Sequence, residues 1–260
     1  MGPGAGSGTE LAQLRPYQVG DDVRRLDPAA TARTGIAHVR LQVPERLLTT
    51  WVLLDVSSSM AFGTAQRLKS DVAEGAALVL GRLATRRGGR VALMAFGAPA
   101  RRFLPPRGGR GAIVAFRKLL EEGTSPDGHE DGGALLESLA RVGRLARQPG
   151  LVAILSDFRG PRDWRVALAG LAHRHSVLAV EVRDPREGSL PAVGRLALVD
   201  PESGRRVEVN TRSRALRERY ERAEQAEREA VARDLRRARA RHAVLSTDGP
   251  WLEPLGRALR

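Results

Sequence analysis

Cysteine is absent from all 260 residues, which excludes disulfides, thiolate catalysis and Cys-based zinc sites. Aromatic side chains are scarce: three Trp, two Tyr and five Phe leave few platforms on which single-stranded bases could stack. No apolar run approaches the roughly 18 uninterrupted residues of a membrane-spanning helix. Met1–Thr9 is Gly-rich and uncharged and lacks the basic and apolar regions of a signal peptide. These absences point to a cytoplasmic protein with a flexible tail over residues 1–15. Catalytic signatures are missing too. There is no Gly-x-x-x-x-Gly-Lys-Ser/Thr phosphate loop and no Gly-x-Ser-x-Gly elbow, and His38, His129, His173, His175 and His242 lack metalloprotease spacing. The expectation is a non-enzymatic protein.

The composition that remains is that of a globular α/β chain, long enough for one large domain with a substantial core. Its net charge of +13 is almost wholly arginine, with lysine only at positions 69 and 118. The arginines are scattered and form no single run, so an acidic protein partner is expected ahead of a nucleic acid.

From Val52 onward, apolar segments alternate with helical patterns, which predicts a parallel sheet covered on both faces. Strands are expected at Thr50–Asp55, Arg90–Phe96, Leu151–Ser156 and His175–Val182, with Ala100–Leu104 antiparallel at an edge. Helices are expected at Ala65–Arg86, Gly109–Glu121, Ala134–Arg147 and Arg162–Arg174. A hairpin, Arg195–Val199 with Arg205–Val209, precedes a long helix over Ser213–Arg241, a strand at Ala243–Ser246 and a closing helix at Trp251–Leu259. Residues 16–48 read as an N-terminal segment packed on the main domain of residues 49–260. Within that segment a helix is expected at Ala29–Arg33 and a strand at Ala37–Val43.

Asp55-Val-Ser-Ser-Ser59 directly follows the apolar run Trp51–Leu54. One carboxylate and two hydroxyls on alternate residues are hard oxygen donors, suited to Mg²⁺, which takes about six oxygens and keeps several waters. The competing reading is a Ser-rich strand-to-helix turn whose Asp or Ser caps the next helix.

Two landmarks together carry a family resemblance. One is Tyr17-x-x-Gly20-Asp21-Asp22-x-Arg24-x-x-Asp27 followed by Ala32-Arg33; the other is Leu54-Asp55-Val-Ser57-Ser-Ser59-Met60-x-Phe62-Gly63. The match extends through Lys69, Ser156-Asp157-Phe158, the Asp-Pro-Arg-Glu segment and Ser246-Thr247-Asp248. The chain resembles the DUF58 family, bacterial proteins with a von Willebrand factor A-like domain. The resemblance implies a doubly wound, mostly parallel Rossmann-like sheet with an antiparallel edge strand, an inserted β-hairpin and a metal-ion-dependent adhesion site (MIDAS). It also implies association with a MoxR-type AAA+ ATPase in complex assembly or chaperone-like remodelling.

By that resemblance Asp55, Ser57, Ser59 and Asp157 are the metal ligands, for Mg²⁺ or alternatively Mn²⁺ or Ca²⁺. The family's second loop supplies a Thr, but Gly133 stands at the matching position, with Thr124, Ser125 and Asp131 as auxiliary oxygen donors nearby. Tyr17, Gly20, Asp21, Asp22, Arg24, Asp27 and Arg33 are read as structural pins first and as a recognition surface second. The expected function is a metal-dependent protein-interaction module whose ion is completed by a partner's carboxylate. A metal-independent scaffold and a nucleic-acid-associated factor are the alternatives.

Overall fold

A computed structural model describes residues 13–41, 48–63, 67–86, 88–98, 102–124, 133–199 and 204–260. Two compact units make up the chain, residues 1–46 and 47–260. In the first, β1 (Gln13–Pro16) pairs antiparallel with β2 (His38–Leu41) around α1 (Pro28–Thr34). β1 begins inside the stretch expected as tail. Asp27 caps α1 by accepting from the Ala30 amide at 2.8 Å, and Pro28 supplies a preset first helical residue. Asp22 caps a 3₁₀ turn over Val23–Arg25. Asp21 takes a bidentate pair from Arg15 at 2.8 and 2.7 Å, with the Gln18 amide as a third donor. These contacts fold the segment on itself.

The second unit is built on a six-stranded sheet of β3 (Thr49–Asp55), β4 (Arg90–Phe96), β5 (Phe103–Gly108), β6 (Leu151–Ser156), β7 (Ser176–Arg183) and β10 (Arg241–Ser246). Its order is β10-β7-β6-β3-β4-β5, parallel except for β5 against β4. The helices are α2 (Lys69–Arg86), α3 (Gly109–Leu120), α4 (Ala134–Leu145), α5 (Arg165–Ala172), α6 (Arg214–Arg237) and α7 (Leu252–Ala258). A hairpin of β8 (Arg195–Val199) and β9 (Arg206–Asn210) is inserted between β7 and α6.

Both faces of the sheet are dry. Along β3, Val52 and Leu54 pack with Val72 and Ala76 of α2 and Phe116 of α3, while Trp51 and Leu53 pack with Leu139 of α4, Leu168 of α5 and Leu235 of α6. That alternation between two apolar layers is why the strand reads as an unbroken apolar run.

Several boundaries differ from expectation for physical reasons. β5, expected at Ala100–Leu104, runs over Phe103–Gly108 through Pro105 and Pro106; Ala100 and Arg101 lie outside the described residues. An edge strand tolerates prolines whose missing N–H would point away from its one neighbour. α2 starts at Lys69 instead of Ala65: a 3₁₀ turn occupies Ser58–Ala61, and the Leu68 amide is held by Asp71 Oδ2 at 2.8 Å. α6 stops at Arg237 because Arg239 adopts a left-handed φ of 58°, which frees β10 to start at Arg241.

The topology creates a crevice. From β3 the chain winds outward to β4 and β5; from β6 it winds the other way to β7 and β10. Connections therefore diverge at the carboxyl ends of β3 and β6, the switch point at which open α/β sheets place ligands.

Candidate metal centre

Asp55 ends β3 and Asp157 directly follows β6, so both carboxylates stand at that switch point. Asp55 Oδ1 accepts from the Ser57 amide at 3.0 Å and from the Ser57 hydroxyl at 2.6 Å; Oδ2 accepts from Ser156 Oγ at 2.5 Å. Ser57 Oγ and Ser59 Oγ lie 3.1 Å apart. Ser59 also hydrogen-bonds Asp157. Asp55, Ser57 and Ser59 thus bring a carboxylate and two hydroxyl oxygens within hydrogen-bond distance of one another. A hard cation fits such a donor set.

The backbone is shaped for this approach. A Cβ on Gly97, at the end of β4, would come within 2.9 Å of Ser57 Cβ and 3.1 Å of Asp55 Oδ1, and φ there is +83°. Only glycine lets the β4 turn pass so close to the first loop. The cleft beside it, about 60 Å³, is lined by Asp55, Ser57, Gly133, Phe158, Arg159 and Asp163 among others.

The expected ligands are not electrostatically equivalent. Lys69, at the first position of α2, is wholly buried and donates to Asp157 Oδ2 at 2.6 Å and to Glu187 Oε1 at 2.6 Å. Burial alone would pull the Lys69 pKa down, but the two carboxylates outweigh it and hold the ammonium above its usual value. Burial likewise pushes Asp157 up, and the charge and hydrogen bond of Lys69, the Arg159 amide and Ser59 together hold it below the ordinary carboxylate range. Among the described residues Asp55 has no such cation. Burial first, then the nearby Asp157 charge, raises it to about 6 against the bonds from Ser156 and Ser57.

The Lys69 contact extends outward. Glu187 belongs to the Pro185–Gly188 turn, whose capping box is built on the buried Asp184, itself bonded by Thr247 at 2.7 Å. Arg159, two residues beyond Asp157, makes a bidentate pair with Glu224 of α6 at 3.1 and 2.9 Å. Arg162 reaches Asp234 at 3.3 Å and Glu227 at 3.5 Å, and Arg165 approaches Asp234 at 3.8 Å. A ladder of arginines thus ties the chain after Asp157 to α6.

Of the auxiliary residues, Gly133 lines the cleft with φ +96° at the cap of α4. Thr124 is not among the described residues lining it. Ser125 and Asp131 lie outside the described residues. No three acidic or histidine side chains among the described residues form a metal cage by themselves, so hydroxyls have to contribute. Tyr17, Gly20, Asp21, Asp22, Arg24, Asp27 and Arg33 all fall in the separate N-terminal unit. Sequence reasoning missed Lys69, Ser156 and Glu187 as site residues. Lys69 had a signal: it is one of two lysines among 43 basic residues, placed where two carboxylates close on a point ammonium that a planar guanidinium would not fit.

The fold is that of a von Willebrand factor A-like domain. The structure resembles BatB from Bacteroides thetaiotaomicron, with a TM-score of 0.50 and 16% identity over 82% of this chain and 96% of that one. A von Willebrand factor type A protein from Catenulispora acidiphila is also similar, with a TM-score of 0.44 and 11% identity over 86% of this chain and 43% of that one. The family described as "Protein of unknown function DUF58" matches residues 13–230, and the chain belongs to it. Uncharacterized protein Rv1480 of Mycobacterium tuberculosis and uncharacterized protein Mb1516 of Mycobacterium bovis are each 41% identical over 256 residues, covering 97% of this chain and 79% of theirs.

Proposed function

We propose that this chain is a protein-interaction module, not an enzyme, whose recognition site is a divalent-cation centre at the β3/β6 switch point. The observation that carries this reading is Asp55: a buried carboxylate, held by hydroxyls, beside a cleft and, among the described residues, without a cation of its own. Asp55, Ser57 and Ser59 would hold Mg²⁺, with Asp157 behind Ser59. When bound, the ion supplies an open coordination position that a partner's Asp or Glu completes. The chain's own residues orient the donors and narrow the cleft. A MoxR-type AAA+ ATPase is the partner we assign by resemblance to the family, and complex assembly or remodelling the process. Among the described residues no helix is long and apolar enough to cross a membrane, which is compatible with a cytoplasmic site of action.

Lys69 favours a second reading. Its ammonium already balances Asp157, and Gly133 supplies no hydroxyl, so a metal-independent scaffold would keep the same fold. Capture of the ATPase with and without EDTA, across a salt series, separates the two. Loss of capture in EDTA supports the metal-dependent module, and indifference to EDTA supports the scaffold. Steep salt-dependent retention of nucleic acid in place of the ATPase would overturn both.

A further inference from the structure

We infer that Asp163 supplies the acidic ligand that takes the place of the missing Thr hydroxyl in this centre; the inference rests on the metal-dependent reading above. Asp163 lines the same cleft as Asp55 and Ser57. Its Oδ2 is 3.7 Å from the point where a Cβ on Gly133 would begin. The carboxylate therefore reaches the space that a side chain from the second loop would enter, and Gly133 leaves that space open.

The ordinary structural uses of such an Asp are taken up elsewhere. It immediately precedes Trp164, the capping residue of α5, yet α5 has no side-chain cap hydrogen bond. Among the described residues its carboxylate has no hydrogen bond or ion pair, although Arg162 and Arg165 flank it in sequence. Both arginines turn to Asp234 on α6 instead. Glu187, Glu224, Glu227 and Asp157 each have a basic partner. Among the described residues lining the cleft, Asp163, which is exposed, is the acid that neither caps nor pairs.

Charge balance gives the same assignment. Lys69, shared between Asp157 and Glu187, offsets the Asp157 charge only in part. Asp55 alone would leave a divalent cation half-compensated. Asp55 and Asp163 together neutralise it, with Ser57 and Ser59 as neutral donors and water filling the rest of the shell. In this assignment the ligand comes from the turn before α5, facing Gly133 at the cap of α4.

Calorimetric titration of Mg²⁺ and Mn²⁺ into the full chain, with thermal melts in EDTA as a folding check, tests this. Asp163→Asn is expected to weaken both metals about tenfold or more while melting in EDTA like the parent, and Asp55→Ala is expected to abolish binding. Parent-like affinity in Asp163→Asn, with binding lost in Asp55→Ala, would overturn the Asp163 assignment and leave the metal centre standing. A parent chain with no heat and no metal-dependent melt shift at millimolar Mg²⁺ or Mn²⁺ would overturn the metal-dependent reading, and this inference with it.

Discussion

Lys69 and Asp157 meet at 2.6 Å with side chains 0% and 3% exposed, so the carboxylate that the family pattern offers to a metal already has a cation supplied by the protein. The pair fixes the start of α2 to the end of β6 across the sheet. Its strength depends on both partners being present, because either charge left alone in that interior is costly.

Lys69→Met should accordingly lower stability by about 3–5 kcal/mol, measured by chemical denaturation. Lys69→Arg should recover only part of the loss, since the wider guanidinium has no room in a fully buried site. A Met variant within about 1 kcal/mol of the parent would show that Asp157 protonates at little cost and that the pair is not a structural clamp.

Gly133→Thr restores the residue type that the family pattern carries, but at a position with φ +96°. A β-branched residue there pays about 1–2 kcal/mol of backbone strain. The expected outcome is a lower melting temperature and no gain in Mg²⁺ affinity. A folded variant with tighter Mg²⁺ binding would show that the loop relaxes and that the lost hydroxyl had disabled the site.

Sheet membership was readable because buried parallel strands are continuous apolar runs: Arg90–Phe96 and Leu151–Ser156 lie where the pattern put them. What escaped were features set by non-local geometry. Pro105 and Pro106 look like strand breakers until β5 is known to be an edge. Arg239 ends α6 in a conformation that glycine usually marks. Asp55, Ser57 and Ser59 were legible as a motif, and Asp157 as a strand-end acid. The partition of charge was not, because Lys69 is 88 residues from Asp157 in the chain and Asp163 matters only once Gly133 is seen beside it.

Arg159 and Glu224 should be coupled. Their bidentate geometry, with Glu187 also 3.6 Å from Arg159, predicts an interaction of about 1 kcal/mol in a double-mutant cycle of Arg159→Ala and Glu224→Ala. Because Arg159 is partly exposed, the coupling should shrink at about 1 M salt, where the Debye length falls to roughly 3 Å. Strict additivity at low salt would mean that α6 is not tied to the chain after Asp157 through this pair.

Asp55→Asn gives the sharpest separation of stability from binding. In metal-free protein Asp55 is raised to about 6 from 3.8, with burial as the first cause and the Asp157 charge as the second. A carboxyl whose folded pKa exceeds its unfolded one destabilises the fold when ionised. The penalty is absent below pH ~4, grows between pH ~4 and ~6, and is complete above that. Replacing the carboxylate with a neutral amide removes it, for a gain of up to about 3 kcal/mol at neutral pH in EDTA, reduced by any weakening of the bonds to Ser57 and Ser156. The same variant should lose all stabilisation by Mg²⁺, because its principal anionic ligand is gone. Melts at pH ~3.5, ~5 and ~7.5, each with EDTA or Mg²⁺, read both effects. A variant that gains nothing relative to the parent between pH ~3.5 and ~7.5 in EDTA would show that ionised Asp55 carries no penalty, and the case for a cation beside it would fall.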